Sequence, residues 1–190
     1  MPFKSSLHHR HSIHLPGYDY SQSGAYFVTF VTQDRENRLG TVSNGETQLN
    51  AIGKLVETWW KKIPEKFSNV TQDEFVIMPN HVHGILWIND PCKGVSMCLP
   101  DEIRTGQTPG FAPTYHPSLS EIVQWLKTMT TNEIIRGIKN ENWQPFQERF
   151  WQRNYYEHII RDDNDLNSIR EYIINNPISW DCDTENSKNL

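Results

Sequence analysis

Read along 190 residues, the chain gives the order strand, helix, strand, strand, helix, strand, helix, which predicts an α+β fold. That order is the split βαβ, ferredoxin-like pattern: an antiparallel sheet with helices packed on it, here extended by an extra C-terminal helix. Two observations carry the prediction. Short β-branched and aromatic runs mark the strands, and apolar residues recurring at helical spacing mark the helices. No internal repeat is visible, so residues 1–190 are expected to form one domain, with a mobile loop at 89–117.

Residues 1–24 are polar and rich in His, Ser and Gly, and 7–20 read as an ordered arm. The run 26–32, YFVTFVT, is the first strand, and its near-continuous apolarity suggests a central place in the sheet. Residues 34–45 are charged and turn-rich, a hairpin or an irregular loop. Asn50 caps a helix over 51–63, ended by Pro64. Ile52, Leu55, Val56, Trp59, Trp60 and Ile63 form its buried face. A strand over 73–78 then leads through Pro79-Asn80 into the strand beginning at His81, and the two pair antiparallel. Residues 89–117 hold five prolines and three glycines, hence the expected loop. Ser118 and Glu121 form a capping box that opens the next helix, whose apolar face runs from Ile122 to Ile138. The aromatic segment 150–161 reads as a last, bent strand. Residues 162–165 turn into the final helix, which ends at Asn176-Pro177.

Bulk properties exclude several classes. Net charge is −5 with histidines neutral, which counts against indiscriminate nucleic-acid binding while leaving room for a local basic face. Cys92, Cys98 and Cys182 show no metal spacing and no even disulfide framework, which suits a reducing compartment. No apolar run is long enough to cross a membrane, and the N-terminus lacks the apolar core of a secretory signal. A cytoplasmic location without membrane contact is therefore expected.

The chemistry centres on residues 78–87, MPNHVHGILW. Side chains alternate along a strand, so His81 and His83 share one face and Val82 takes the other. Two imidazoles side by side on a rigid element begin a divalent-metal site. A second His-X-His pair, His9 and His11, reads instead as part of a polar N-terminal arm. On the final helix, Leu166, Ile169 and Ile173 form a stripe for the sheet, with Tyr172 and Asn176 one turn apart at its border. A phenol oxygen is a weak nucleophile unless a metal assists it. The Asn176 amide oxygen is a candidate third ligand beside the two imidazoles. The plainer alternative is a half-buried helix tyrosine and an asparagine that ends the helix.

Taken together, these residues resemble the HUH-type single-tyrosine transposases, within them the branch associated with repetitive extragenic palindromes of bacterial genomes. The resemblance runs over nearly the whole chain: LPGYDY at 15–20, GAYFVT at 24–29, MPNHVH at 78–83, SEIV at 120–123 with Lys127, FWQ at 150–152 with Tyr155-Tyr156, and Tyr172-Ile173 followed by Asn176-Pro177. It implies a ferredoxin-like nuclease. It also implies Mg²⁺ or Mn²⁺ held by His81, His83 and Asn176, and Tyr172 as the catalytic nucleophile. Tyr172 would cut single-stranded DNA at a palindromic hairpin through a 5′-phosphotyrosine linkage. Asn176 stands where insertion-sequence relatives carry glutamine. The resemblance leaves monomer and homodimer both open. Arg10, Lys127, Arg149 and Arg153 are the expected DNA contacts.

Three other readings compete. One is a domesticated palindrome-binding protein that no longer cleaves. Another is an RNA-binding module that stacks bases on Tyr26, Val28 and Phe30, although the glycine-and-aromatic RNP1 pattern is absent. The third is a water-using metal hydrolase, which would want an acidic ligand cluster; no such motif is evident around His81.

Overall fold

The structure, a computed structural model, describes residues 17–90, 116–186 and 189. The expected loop at 89–117 falls mostly outside these residues, as do Arg10, His9 and His11. Four strands form one antiparallel sheet: β1 (Gly24–Val31), β4 (Val70–Ile77), β5 (His81–Ile88) and β6 (Tyr156–Ile160), in the order β4-β5-β1-β6. β2 (Gly40–Ser43) and β3 (Glu46–Leu49) form a separate hairpin. Its turn, Asn44-Gly45, has φ of 54° and 76°, the double left-handed conformation that Asn-Gly adopts most easily. The turn-rich stretch expected over 34–45 is thus a 3-10 turn, Gln33–Arg35, followed by the first half of this hairpin.

Period-2 alternation gives the sheet two different faces. Tyr26, Val28 and Phe30 of β1 and Val82, Leu86 and Ile88 of β5 enter the main core. Helices α1 (Ala51–Lys61) and α3 (Leu119–Asn140) cover it, while the short α2 (Ile63–Lys66) begins where Pro64 interrupts the first helix. The caps are those the sequence implies. Asn50 Oδ1 accepts from Gly53 N at 3.0 Å, and Ser118 and Glu121 close a capping box. Gly84 lets this layer close: a Cβ there would stand 2.4 Å from the Trp60 ring. Since Tyr26, Val28 and Phe30 are all fully buried, they are not a base-stacking surface, which removes the basis of the RNA-binding reading.

The opposite face carries Phe27, Thr29, His81, His83 and Ile85. α4 (Asp163–Asn175) docks there, with Leu166 and Ile173 buried against Phe27 and Ile85 and Ile169 packed alongside. Burying two aliphatic side chains contributes about 3–6 kcal/mol. Helices therefore lie on both faces, and the helix added to the split βαβ pattern is the one that meets the histidines. The last strand is shorter than the sequence suggests. Residues 150–155 leave the ladder, apart from a bridge between Trp151 and Thr32, because Phe150 and Trp151 turn into the main core.

Candidate metal and nucleophile site

Register decides what His83 meets. Thr29 of β1 lies opposite it, and Thr29 Oγ1 is 2.7 Å from His83 Nδ1. His83 Nε2 is 3.2 Å from the Tyr172 hydroxyl. His81 is fully buried, with its ring centroid 4.3 Å from that of His83 and its Nδ1 2.8 Å from Asn80 Oδ1. Burial disfavours the imidazolium. It pushes His81 down to about 3 and His83 well below its ordinary value, the latter helped by neighbouring His81. Both rings are thus neutral at neutral pH, the form that binds a metal.

α4 brings Tyr172 and Asn176 to this pair. Tyr172 is 46% exposed, and its ring meets those of His83 and Phe27 edge-on at 5.1 and 6.1 Å. Desolvation, then the carboxylates of Asp183 and Glu185, push its hydroxyl up to about 12. Asn176, the C-cap of α4, is buried, and its side chain lies beside both His81 and Tyr172. Three buried polar atoms here have no hydrogen-bond partner: His81 Nε2, Asn176 Oδ1 and Asp183 Oδ2. Unpaired buried polar atoms are costly, and three such acceptors around the paired histidines form a donor set that fits a cation.

Asp183 was not foreseen. The sequence shows no acidic ligand cluster around His81, yet the fold brings one carboxylate to it. Past α4 the chain makes a 3-10 turn, Trp180–Cys182, which folds Asp183 back against the histidines. Its Oδ2 is 3.7 Å from His81 Nε2, and potential ligand atoms of His81, His83 and Asp183 all lie within 4.8 Å of one another. In the sequence Asp183 sits in an acidic tail beside exposed Asp181, and no spacing distinguishes the two. Asn80, in the sequence only part of the Pro79-Asn80 turn, also belongs to the site, with Oδ1 against His81 Nδ1.

A cleft of about 540 Å³ opens beside Tyr172, lined among others by Phe27, His83, Arg35, Tyr155 and Tyr156. Tyr155 is held by Ser120, its hydroxyl 2.9 Å from Oγ, while Tyr156 is half-exposed on the cleft wall. A second groove, of about 410 Å³, is lined by Lys127, Arg149 and Arg153, and Gln152 borders both. Arg149 and Arg153 are exposed, as a phosphate contact requires. Lys127 differs: it is buried, donates to Gln152 O and Asn154 O at 3.0 Å each, and desolvation lowers it to about 8. Its ammonium holds the 150–154 segment onto α3.

Residues 111–176, which include Tyr172 and Asn176, match the family model of IS200-like transposases. An uncharacterised protein of Haemophilus influenzae is 40% identical over 181 residues, covering 95% of each chain. The chain belongs to the IS200-like transposase family. A second H. influenzae protein, provisionally named a REP-associated tyrosine transposase, is 28% identical over 163 residues, spanning 84% of this chain and 73% of that one. A solved structure of a REP-associated tyrosine transposase bound to a REP hairpin shares the fold with a TM-score of 0.57 at 16% identity, over 88% of this chain and 73% of that one. In this IS200-like chain the matched stretch supplies the tyrosine and the amide, while the paired histidines come from β5, outside it.

Proposed function

We propose that this IS200-like transposase is a metal-dependent single-stranded DNA endonuclease and strand transferase acting at palindromic hairpins. The observation that carries the reading is the Tyr172 hydroxyl at 3.2 Å from His83 Nε2, beside the unpartnered His81 Nε2 and Asn176 Oδ1. His81, His83 and Asn176 are the residues that would hold Mg²⁺ or Mn²⁺. Two neutral imidazoles and a buried amide oxygen with a free lone pair suit such an ion. When bound, it supplies charge stabilisation to the non-bridging oxygens of the phosphate.

Tyr172 then acts as the nucleophile. Its hydroxyl loses a proton as its oxygen forms a bond to phosphorus, the bond to the 3′-oxygen breaks, and that oxygen gains a proton and leaves as a 3′-hydroxyl, so one proton is lost and one taken up. One phosphodiester replaces another, so the energy of the broken bond is kept in the 5′-phosphotyrosine. Resealing therefore needs no nucleotide, which suits strand transfer better than hydrolysis. α4 aims the phenol through Leu166, Ile169 and Ile173, and a cleft of about 540 Å³ lies beside it. The REP hairpin bound by the structure of similar fold supports hairpin DNA as the substrate class. The exposed Arg149 and Arg153 are the proposed phosphate contacts.

The test incubates the purified chain and Mg²⁺ or Mn²⁺ with single-stranded oligonucleotides carrying inverted repeats that flank its gene. A denaturant-stable protein–DNA adduct supports the proposal. Hairpin binding with no adduct under either ion would instead assign the chain as a palindrome-binding protein.

A further inference from the structure

We propose that Asp183 is a fourth ligand of the metal, delivered by the segment after α4 and held in place through Asn80. The proposal rests on the metal reading of His81 and His83 and adds a carboxylate from outside the matched stretch 111–176.

Asn80 is fully buried, and its Nδ2 donates to Arg35 O at 3.0 Å and to Glu185 O at 2.7 Å. Both partners are carbonyls and can only accept, so the amide cannot be flipped. Asn80 Oδ1 therefore faces His81 Nδ1, and that nitrogen must be the donor at 2.8 Å. The lone pair of neutral His81 is thus on Nε2, the atom left without a partner. A hydrogen bond at one ring nitrogen that fixes the tautomer at the other is the usual support of a metal-binding histidine.

The same amide places Asp183. Glu185 is gripped at its carbonyl by Asn80 and at its carboxylate by Arg35 Nε at 2.8 Å. Glu185 N in turn donates to Asp183 Oδ1 at 2.7 Å. That bond occupies one carboxylate oxygen and turns the other, Oδ2, toward His81 Nε2 at 3.7 Å. The two facing atoms are both acceptors, and the gap is too long for a hydrogen bond. A lone pair facing a buried carboxylate oxygen is repulsive unless a cation lies between them. Donors about 2.1 Å from one octahedral ion stand about 3 Å apart when adjacent and about 4 Å when opposed. The observed separations reach 4.8 Å, so small shifts would bring the atoms onto one ion. The two imidazoles are borderline donors, and the amide and carboxylate are hard oxygen donors; adding Asp183 makes the set singly negative and shifts it toward Mg²⁺ or Mn²⁺.

The experiment is a Mn²⁺ titration of the DNA-free full-length chain by calorimetry, with thermal melts in the presence and absence of metal. Asp183→Asn keeps the shape and removes the charge. It is expected to weaken Mn²⁺ binding at least tenfold and to shrink the metal-induced rise in Tm, without lowering the metal-free Tm. Asp181→Asn, in the same segment, is expected to bind as the wild type does. Wild-type affinity in Asp183→Asn, with binding lost in His81→Ala, would overturn the Asp183 assignment and leave the histidine site standing. Absence of Mn²⁺ binding by the wild type would overturn both. In case Asp183→Asn fails to fold, carboxyl ¹³C spectra of the wild type give a second readout: Mg²⁺ is expected to shift Asp183 Cγ and not Asp181 Cγ, and an unmoved Asp183 signal would refute the proposal. Ring ¹⁵N spectra are expected to show His81 protonated at Nδ1 in the metal-free wild type and redistributed in Asn80→Ala. An Nε2-protonated His81 in the wild type would contradict the Asn80 argument.

Discussion

Replacing Asp73 with Asn tests how the helix that carries Tyr172 is held. Arg170, two residues before Tyr172, grips Asp73 of β4 with both arms of its guanidinium: Nε to Oδ1 at 2.7 Å and Nη2 to Oδ2 at 2.6 Å. Trp87 Nε1 adds a third bond at 3.2 Å. The Arg170 hydrogen bonds, more than any other cause, hold the Asp73 carboxyl down at about 2 against an ordinary 3.8. Taken at face value this difference corresponds to roughly 2.5 kcal/mol at neutral pH. The Arg170 side chain is 37% exposed, so solvent screening reduces the net contribution to about 1 kcal/mol. A chain of this size then loses about 2–4 °C in Tm. The sign over pH follows from the depressed value: the contribution is full above about 4, shrinks as pH falls toward 2, and vanishes below it. Urea unfolding of wild type and Asp73→Asn at pH 7, 4, 3 and 2.5 measures this. The stability gap is expected to close across the lower three points. Equal stabilities at pH 7, or a gap that persists unchanged at pH 2.5, would refute the reasoning. Adduct formation by the variant is expected to slow and not stop, because Leu166, Ile169 and Ile173 still dock the helix.

Three further outcomes follow from the packing and the grooves. Ile173→Ala removes a buried side chain between α4 and the sheet and is expected to cost about 2–4 kcal/mol in denaturant unfolding; a loss under 1 kcal/mol would mean α4 is not anchored there. Gly84→Ala drives a methyl into the Trp60 ring and is expected to lower Tm and alter tryptophan fluorescence, whereas an unchanged spectrum and Tm would contradict the packing. Arg149→Ala and Arg153→Ala are each expected to reduce the salt slope of single-stranded DNA binding by about 0.7. Lys127→Met should leave that slope unchanged and cost about 1–3 kcal/mol of stability, since two carbonyls lose their donor.

The strand and helix pattern was legible because each element declares itself locally. YFVTFV is β-branched or aromatic throughout, Ser118 and Glu121 announce a helix start, and Pro64 announces a break. His81, His83, Tyr172 and Asn176 were readable for the same reason, since one strand period and one helix turn set their relative placement. The structure brings the two pairs together. Other features depended on contacts distant in sequence. Asp183 reaches the site through a turn beyond α4 whose direction is set by buried Trp180 and by Asn80, about a hundred residues away. Lys127 reads from the sequence as a solvated or phosphate-binding residue because, with Thr130 and Thr131, it interrupts the apolar face of α3. Its burial follows from the 150–154 segment crossing over it, which no spacing on α3 reveals. The end of the last strand was misjudged because Phe150 and Trp151 have strand-like composition, yet their side chains fill the main core instead of extending the ladder.

The central claim is that Tyr172 is the nucleophile. Three tyrosines border the cleft, Tyr155, Tyr156 and Tyr172, so the claim is decided by locating the covalent bond. The direct measurement is mass spectrometry of the protease-digested protein–DNA adduct, formed with Mn²⁺ and a cleavable hairpin oligonucleotide. The structure predicts the nucleotide mass on the peptide containing Tyr172, and no adduct from Tyr172→Phe, which keeps the ring packed on Phe27 and His83 and removes the attacking oxygen. A nucleotide on Tyr155 or Tyr156, or full cleavage by Tyr172→Phe, would contradict it.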